Sequence, residues 1–479
     1  MAHRPLKKRK HNVNKTLKEI VTEPNFKTAG FGFLAIDVNS GEIIAEHNPD
    51  LALRPASNLK LLTTATAIEI LKPGFRFKTV LEYSGTIDTV TNILHGNLII
   101  RGGGDPTLGS KYFNQTKSKQ YQYHWKRAIN QLDIDSITGS VIADASYFSR
   151  DILPPSWSWQ NMGNYYGAGA CGLTINDNMY KVCFNTGNQI GLGVKMTGVF
   201  PTIPGIEFDN SVLADSIAYD DSYIFGAPYC NKRYIRGALP VGKNHFCVKG
   251  SMPDPALVAA WQLDSLLRLA NVGVAGSPST MRLLQNNIEN VSLATTPFDT
   301  IYSPTLSEII LKTNTYSINL FAEHCGIAAG MALGANPEIV IAMDSVKSYW
   351  RNQGMDTRGM SVNDGSGQSQ YNVITARQLI FVLDYMKEKS AFFDDYYNSL
   401  AVGGKTGTLK HMFGNSFAKG NVHAKSGTID GVKSYSGYVT TRSGREVAFS
   451  VMVNNFSCSS KEARAKLEQL MIALAEFDK

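Results

Sequence analysis

Ser57 and Lys60 stand three residues apart at the head of an apolar run, Arg54-Pro55-Ala56-Ser57-Asn58-Leu59-Lys60-Leu61-Leu62-Thr63-Thr64-Ala65-Thr66-Ala67-Ile68. Pro55 and Ser57 are start signals, and Leu61, Leu62, Ala65, Ile68 and Leu71 recur at helical spacing. A helix beginning near Ser57 places its hydroxyl and the Lys60 amine on one face. It also places Ser57 at the positive end of the helix dipole, where a developing anion is stabilised. A serine hydroxyl becomes a nucleophile only when a base removes its proton. A neutral lysine amine one turn on is such a base. The competing reading makes Ser57 a helix cap and Lys60 a solvated first-turn residue. Ser-x-x-Lys arises by chance about once or twice in a chain of this length. It recurs at Ser416 and Lys419, where Gly420 follows and no apolar helix does. The rest of the chain therefore has to arbitrate.

Two further pairs of chemistry-bearing residues follow in order, Ser317-Ile318-Asn319 and Lys425-Ser426-Gly427. Each has a decoy: Ser361-Val362-Asn363 repeats the second pattern and Lys405-Thr406-Gly407 the third. Lys425-Ser426-Gly427-Thr428 is followed by Ser436-Gly437-Tyr438-Val439 and a further strand-like run, whereas Lys405 runs into a glycine-rich polar loop. Strand context favours Lys425.

The elements that must position these residues come in three textures. Gly32–Val38 alternates like a strand, Asn39-Ser40-Gly41-Glu42 signals a turn, and Ile43–Glu46 returns, so a hairpin leads into the Ser57 helix, which stops near Lys72-Pro73-Gly74. From about 78 to 295 short strands dominate, including Thr79–Tyr83, Gly96–Ile100 and Gly139–Ala143, with one amphipathic helix over Pro255–Ala270. Arg101-Gly102-Gly103-Gly104-Asp105 lacks the lysine and following helix of a phosphate loop and reads as a tight turn. Trp157, Trp159, Tyr165 and Tyr166 read as the core of a small β domain ahead of a pocket lid. Beyond 300 long helices return, and the chain closes with strands over 423–428, 435–439 and 447–453 and a helix over 461–477. The layout predicts one domain split into 20–78 and 296–479, an insertion over 79–295, and a basic flexible tail over 1–19.

Composition excludes several classes. The formal charge of +7 resides in Arg4, Lys7, Lys8, Arg9, Lys10, Lys15 and Lys18, which leave 40 basic against 40 acidic residues in the body. A neutral body with a basic tail gives no nucleic-acid signature. No run of 18 apolar residues predicts a membrane-spanning helix, and no apolar signal-peptide core is visible at the start. The cysteines 171, 183, 230, 247, 325 and 458 show no C-x-x-C spacing and are read as having no neighbouring histidines. They read mainly as buried small hydrophobes, with a disulfide among the four between 171 and 247 left open and no metal site expected.

Ser57-x-x-Lys60, Ser317-x-Asn319 and Lys425-Ser426-Gly427 together resemble the signature of the serine penicillin-recognising enzymes. The separation of 260 residues between Ser57 and Ser317 exceeds what that fold needs and narrows the resemblance. The chain is similar to the class C low-molecular-mass penicillin-binding proteins, the D-alanyl-D-alanine carboxypeptidase/endopeptidase family (peptidase family S13). Arg101–Pro106, Trp157-x-Trp159 with Tyr165-Tyr166-Gly167-Ala168, Asn363-Asp364-Gly365-Ser366-Gly367 and Gly420–Lys425 extend the likeness over about 20–479.

The resemblance implies an α+β multidomain protein, in which a serine transpeptidase-like domain with an antiparallel sheet flanked by helices carries one or two inserted smaller domains. It implies D-Ala-D-Ala carboxypeptidase activity on peptidoglycan stem peptides, D,D-endopeptidase activity as a further reaction, acylation by β-lactams, no cofactor, and a periplasmic or other extracytoplasmic location. Ser57 would attack the carbonyl. Lys60 would take its proton, with an amine kept neutral by burial and by a cation such as Lys425. Ser317 would protonate the leaving D-alanine and Asn319 would orient Lys60 and the substrate amide. Lys425, Ser426, Gly427 and Thr428 would hold the terminal carboxylate, with the N–H groups of Ser57 and Thr428 as oxyanion hole. Asn161 stands where many relatives carry an acid, associated in some of them with the amine on the third stem residue; it brings no charge there, and it reads equally as a surface turn residue. A β-lactamase on the same fold and a non-catalytic cell-wall-peptide or β-lactam binding module are the alternatives. The insertion and the lack of an assignable acid for deacylation weigh against the first, and the intact motifs against the second.

Overall fold

A computed structural model describes residues 13–287 and 294–478. One six-stranded sheet organises the molecule. From one edge its strands are Ala401–Val402, His423–Ile429, Val432–Thr440, Glu446–Asn454, Gly30–Asp37 and Ile43–His47, and every neighbouring pair is antiparallel. The hairpin read from residues 32–46 thus lies beside strands from the far end of the chain. Phe31 pairs with Val453 and Phe33 with Val451. One apolar layer beneath the sheet joins Phe31, Phe33, Phe449 and Val451 to Leu467, Leu470 and Leu474 of the terminal helix Ser460–Ala475.

Residues 13–19 correct the tail reading. Val13–Thr22 is an amphipathic helix whose Val13, Leu17 and Ile20 enter that same layer. The hydrophobic period 13, 17, 20 was hidden by the charge around it; residues 1–12, the rest of the assigned tail, lie outside the described residues.

On the other side of the sheet the helix Lys60–Leu71 is buried over its first nine residues, Lys60 to Ile68. A helix enclosed all round should be apolar, yet this one carries Thr63, Thr64 and Thr66. Their hydroxyls are satisfied internally: Thr64 Oγ1 donates to Lys60 O at 2.7 Å and Thr66 Oγ1 to Leu62 O at 2.8 Å. Thr63 Oγ1 donates outward to Gly365 O at 2.7 Å. Helices Leu306–Tyr316, Asn319–Ala332, Ile339–Asn352 and Ala376–Glu388 surround it, and Leu62, Ile68, Ile310, Phe321, Trp350 and Leu379 share one core.

The insertion has its own core, built on Leu81, Ile100, Trp125, Val182, Ile235 and Leu263. Its five-stranded sheet runs Ser279–Thr280, Val141–Asp144, Leu98–Gly102, Lys78–Ser84, Thr295–Tyr302. The strand Thr295–Tyr302 pairs antiparallel with Lys78–Ser84, so residues 296–302 pack with the inserted sheet rather than with the domain to which the sequence reading gave them. A short run of strand residues has no local signal for which sheet it joins. Arg101 and Gly102 end the strand Leu98–Gly102 rather than forming the tight turn read from the sequence; Arg101 bonds Glu82 and Asp144 across the sheet, and the chain bends only at Gly104, which takes φ +79°.

Cys183 and Cys247 form a disulfide between adjacent strands, directly opposite each other in register. His245 Nε2 lies 3.3 Å from Cys247 Sγ, and His324 immediately precedes Cys325, so histidines do stand beside cysteines in this chain. The Cys183 and Cys247 sulfurs are bonded to each other, and the His324 ring nitrogens lie at hydrogen-bond distance from Gly104 O and Thr174 Oγ1. The disulfide closes 64 residues of sequence, which restricts the unfolded chain by about 4 kcal/mol on loop-entropy grounds. Replacing Cys183 and Cys247 together with Ala will lower the calorimetric midpoint of unfolding under non-reducing conditions, and dithiothreitol will lower the wild type to the same extent.

Candidate active site

Ser57 lies in a short 3-10 turn, Ala56–Leu59, that runs straight into the helix Lys60–Leu71. No side chain caps this turn, so the Ser57 hydroxyl is not spent on the backbone. The preceding residue, Ala56, takes φ +47°, a left-handed conformation that costs a non-glycine residue about 1–3 kcal/mol. Three surroundings hold it there. Asn58 Nδ2 donates to Ser436 Oγ at 2.8 Å, and Ser434 Oγ donates to Pro55 O at 2.6 Å, both from the sheet. Gly367, itself at φ +84°, presses against the Ala56 carbonyl so closely that a Cβ would come within 1.8 Å of it.

The Lys60 amine is fully buried and touches three atoms: Ser57 Oγ at 2.9 Å, Asn319 Oδ1 at 2.7 Å and Ser366 O at 2.8 Å. Two of these are acceptors only. A neutral amine has two N–H donors and one lone pair, so both donors are committed and the lone pair is left for the Ser57 O–H. Burial lowers the Lys60 pKa from its ordinary value to about 7, against the opposing pull of the Glu323 and Asp364 carboxylates. Burial is the largest cause; the Lys60 and Lys425 amines repel each other, which acts in the direction the sequence reading gave.

Ser317 joins two helices. It follows Tyr316 at the end of one and precedes Asn319 at the start of the next, with φ +61° and ψ +42°. That left-handed joint turns Ser317 and Asn319 toward the same place. Asn319 accepts from Lys60 and donates through Nδ2 to Tyr166 O at 2.8 Å and Gln368 Oε1 at 3.3 Å, which fixes its amide orientation. Ser317 Oγ accepts from Lys425 Nζ at 2.9 Å.

Lys425 and Gly427 share one face of the strand His423–Ile429, as alternate residues must. Lys425 is fully buried, and Gly427 lies against the Ser57 turn: a Cβ there would stand 2.6 Å from Pro55 O and 3.0 Å from Ser57 N. Glycine at 427 is therefore a requirement of close approach. Ser426 points the other way and donates to Thr408 Oγ1 at 2.7 Å. Thr428 Oγ1 accepts from Lys433 Nζ at 2.9 Å. The decoys separate cleanly. Lys405 is exposed in the turn beyond Val402, and Ser361 and Asn363 bond each other at 3.1 Å.

Ser57, Ser317, Asn319 and Thr428 line one cleft of about 810 Å³, with Lys60 and Lys425 buried behind it. Ser426 and Gly427 are outside its lining, while Asn161 is on it, beside Tyr165 and Tyr166. Tyr165 and Tyr166 are thus part of the cleft wall rather than a β-domain core; Trp159, about half exposed, stacks on Phe225 outside that lining, and Trp157 is buried, donating to Asp364 Oδ2 at 2.8 Å.

The sequence reading missed the supports behind Lys60. Glu323 accepts from the N–H groups of Gly365 and Ser366, each at 2.8 Å, and so holds the carbonyl that Lys60 bonds. Asp364 accepts from Gly367 N at 2.8 Å and Asn372 Nδ2 at 2.8 Å. Burial raises the Glu323 pKa, with the Asp364 charge adding to it. Glu323 was findable, one helical turn beyond Asn319 on the same face.

A serine hydroxyl beside a neutral buried amine, with a second serine held by a second buried lysine, is the working centre of a serine acyl-transfer enzyme of the penicillin-recognising class. The profile of the D-Ala-D-Ala carboxypeptidase 3 (S13) family matches residues 13–477, and the chain belongs to that family. It is 25% identical to a D-alanyl-D-alanine carboxypeptidase of Actinomadura sp. (strain R39), over 96% of this chain and 83% of the relative. Its fold is similar to the crystal structure of penicillin binding protein 4 (dacB) from Haemophilus influenzae, with a TM-score of 0.80 at 23% identity over 97% of this chain and 98% of the other. The same Haemophilus protein complexed with a β-lactam superposes with a TM-score of 0.77 at 22% identity, over the same 97% and 98%.

Gly427→Ala tests the close approach. Its methyl group will force the strand away from Ser57, and a displacement of this size costs about hundredfold in rate. Stopped-flow acylation by a fluorescent penicillin, on protein whose melting curve confirms folding, will show that loss.

Proposed function

We propose that this chain is a serine D-Ala-D-Ala carboxypeptidase that removes the terminal D-alanine from peptidoglycan stem peptides through an acyl-enzyme on Ser57. The observation that carries the reading is the buried Lys60 amine, 2.9 Å from Ser57 Oγ, 2.7 Å from Asn319 Oδ1 and 2.8 Å from the Ser366 carbonyl, an arrangement in which a neutral amine keeps its lone pair for the Ser57 O–H. Ser57 Oγ attacks the penultimate carbonyl carbon as its proton passes to Lys60. The tetrahedral oxyanion lies between the N–H groups of Ser57 and Thr428. Ser317, held by Lys425, delivers a proton to the leaving D-alanine nitrogen as the C–N bond breaks and takes the proton from Lys60 in its place. Water then attacks the ester carbonyl, its proton passes to the neutral Lys60, and Lys60 returns it to Ser57 Oγ as the acyl C–O bond breaks. Asn319 positions Lys60 throughout. Lys425 is the N–H donor proposed for the substrate's terminal carboxylate, with Thr428 at the cleft wall, while Ser426 and Gly427 shape the strand. A β-lactam acylates Ser57 by the same attack. Such a substrate is met outside the cytoplasm, and no described helix is long and apolar enough to cross a membrane.

Intact-protein mass spectrometry with benzylpenicillin tests the nucleophile. Wild type gains one penicilloyl group and Ser57→Ala gains none; D-alanine release from a D-Ala-D-Ala peptide is lost in the same variant. Drug consumption with no adduct would make the chain a β-lactamase instead.

Acylation also depends on pH in a fixed direction. Lys60 must be neutral to accept the proton, and its pKa is lowered to about 7. The acylation rate constant will therefore rise with pH through an inflection near 7 and be lost below it. A rate that stays level between pH 5 and pH 9 would remove Lys60 as the base.

A further inference from the structure

The cleft continues from Ser57 past Tyr112, Tyr165 and Tyr316 to two lysines on the inserted part, Lys111 and Lys249. Neither forms an ion pair among the described residues. Each ammonium rests over an aromatic face of the wall: Lys111 Nζ is 5.0 Å from the Tyr112 ring centroid and Lys249 Nζ 5.3 Å from that of Tyr165. Lys249 stands opposite Lys181 in the strand pairing, a like-charge juxtaposition that weakens a sheet. Repulsion from Lys111 and Lys181, added to the larger effect of burial, lowers the Lys249 pKa.

One carboxylate is close, and it is already engaged. Asp177, also on the lining, is bonded by the Ser110 hydroxyl and the Lys111 N–H, and burial raises its pKa against the pull of the Lys111 and Lys249 ammoniums. Its Oδ1 is sealed from solvent without a hydrogen-bond partner, and one carboxyl held in its own loop offsets only part of the charge of two ammoniums. The other acid on the lining, Asp430, follows Thr428 and Ile429 on the opposite wall. Asn161, at the position where the family resemblance suggested an acid for an amine, is uncharged. This end of the cleft therefore presents positive charge, pre-positioned on tyrosine faces and paying an electrostatic cost while empty.

We propose that Lys111 and Lys249 form an anion-recognising subsite, which takes a free carboxylate carried by the peptide substrate upstream of its scissile bond. This rests on the reading of the cleft as a D-Ala-D-Ala peptide site. The anion relieves the repulsion between the two ammoniums and lies against the tyrosine wall, so selectivity is for charge sign more than for side-chain shape. An upstream side chain that ends in an amine is disfavoured.

The test uses three peptides ending in D-Ala-D-Ala that differ only in whether the upstream side chain ends in a carboxylate, a primary amide or an ammonium. Two readouts are taken with each: kcat/KM for D-alanine release, and protection of Ser57 against a fluorescent penicillin, which reports binding whether or not hydrolysis follows. Wild type will prefer the carboxylate over the amide by at least about tenfold, the scale of a charge-assisted contact, with the ammonium peptide last. In the Lys111→Gln/Lys249→Gln protein, checked for folding by its melting curve, the carboxylate-to-amide ratio will fall toward one, and 0.5 M salt will compress it in wild type. Preference for the ammonium peptide, or a ratio that the double substitution leaves intact, overturns the subsite while leaving hydrolysis standing. Carboxylate-selective protection with no D-alanine release from any peptide would uphold the subsite and sink the carboxypeptidase reading instead.

Discussion

The hydrogen bonds of one buried amine set the terms for the rest of this molecule. Lys60 is enclosed with three oxygen neighbours, of which only Ser57 Oγ can give a proton. Taking a charged ammonium out of water is costly, and the cheaper solution is to leave the group neutral. Neutrality is what a base requires. The oxygens that surround it are held from different parts of the chain: Asn319 at a helix start, the Ser366 carbonyl on a loop clamped by Glu323, and Ser57 on a strained turn. Moving any one of them would change the protonation state as well as the geometry.

That dependence explains where backbone strain is found. Ala56, which precedes Ser57, and Ser317, the second serine of the site, are each in a left-handed conformation. Neither could stay so on local preference. Ala56 is pinned by Ser434 and Gly367, and Ser317 by the bond from Lys425 and the helices on either side. The polar interior of the sheet serves the same end. Asn58, Ser436 and Ser450 form a buried chain of hydrogen bonds from the nucleophile turn into the middle strands.

The sequence disclosed this centre in its motif order, because Ser57 and Lys60 are fixed by one helical turn, Ser317 and Asn319 by one joint, and Lys425 and Gly427 by strand alternation. These are short-range relations. Which lysine-glycine pair was used was also legible, since Lys425 lies in a strand pattern and Lys405 in a loop. What stayed hidden depends on contacts far apart in sequence. Trp157 and Trp159 are two residues apart, yet one is buried on Asp364 and the other is half exposed against Phe225. Composition cannot distinguish them. The strand Thr295–Tyr302 and the helix Val13–Thr22 were misassigned for the same reason: each is defined by the partner it packs against.

The pairing of Gly30–Asp37 with Glu446–Asn454 orders events as the chain is made. Ser57 leaves the ribosome early, but the strand with Lys425 and Gly427, and the one that joins it to the hairpin, emerge some hundreds of residues later. Closing so long a loop is slow relative to local folding. The inserted part, from the strand Lys78–Ser84 to Thr295–Tyr302, has its own core and is complete before that strand exists. A nascent chain therefore carries the serine and its lysine without the walls that make them reactive, and competence arrives only with the last strands.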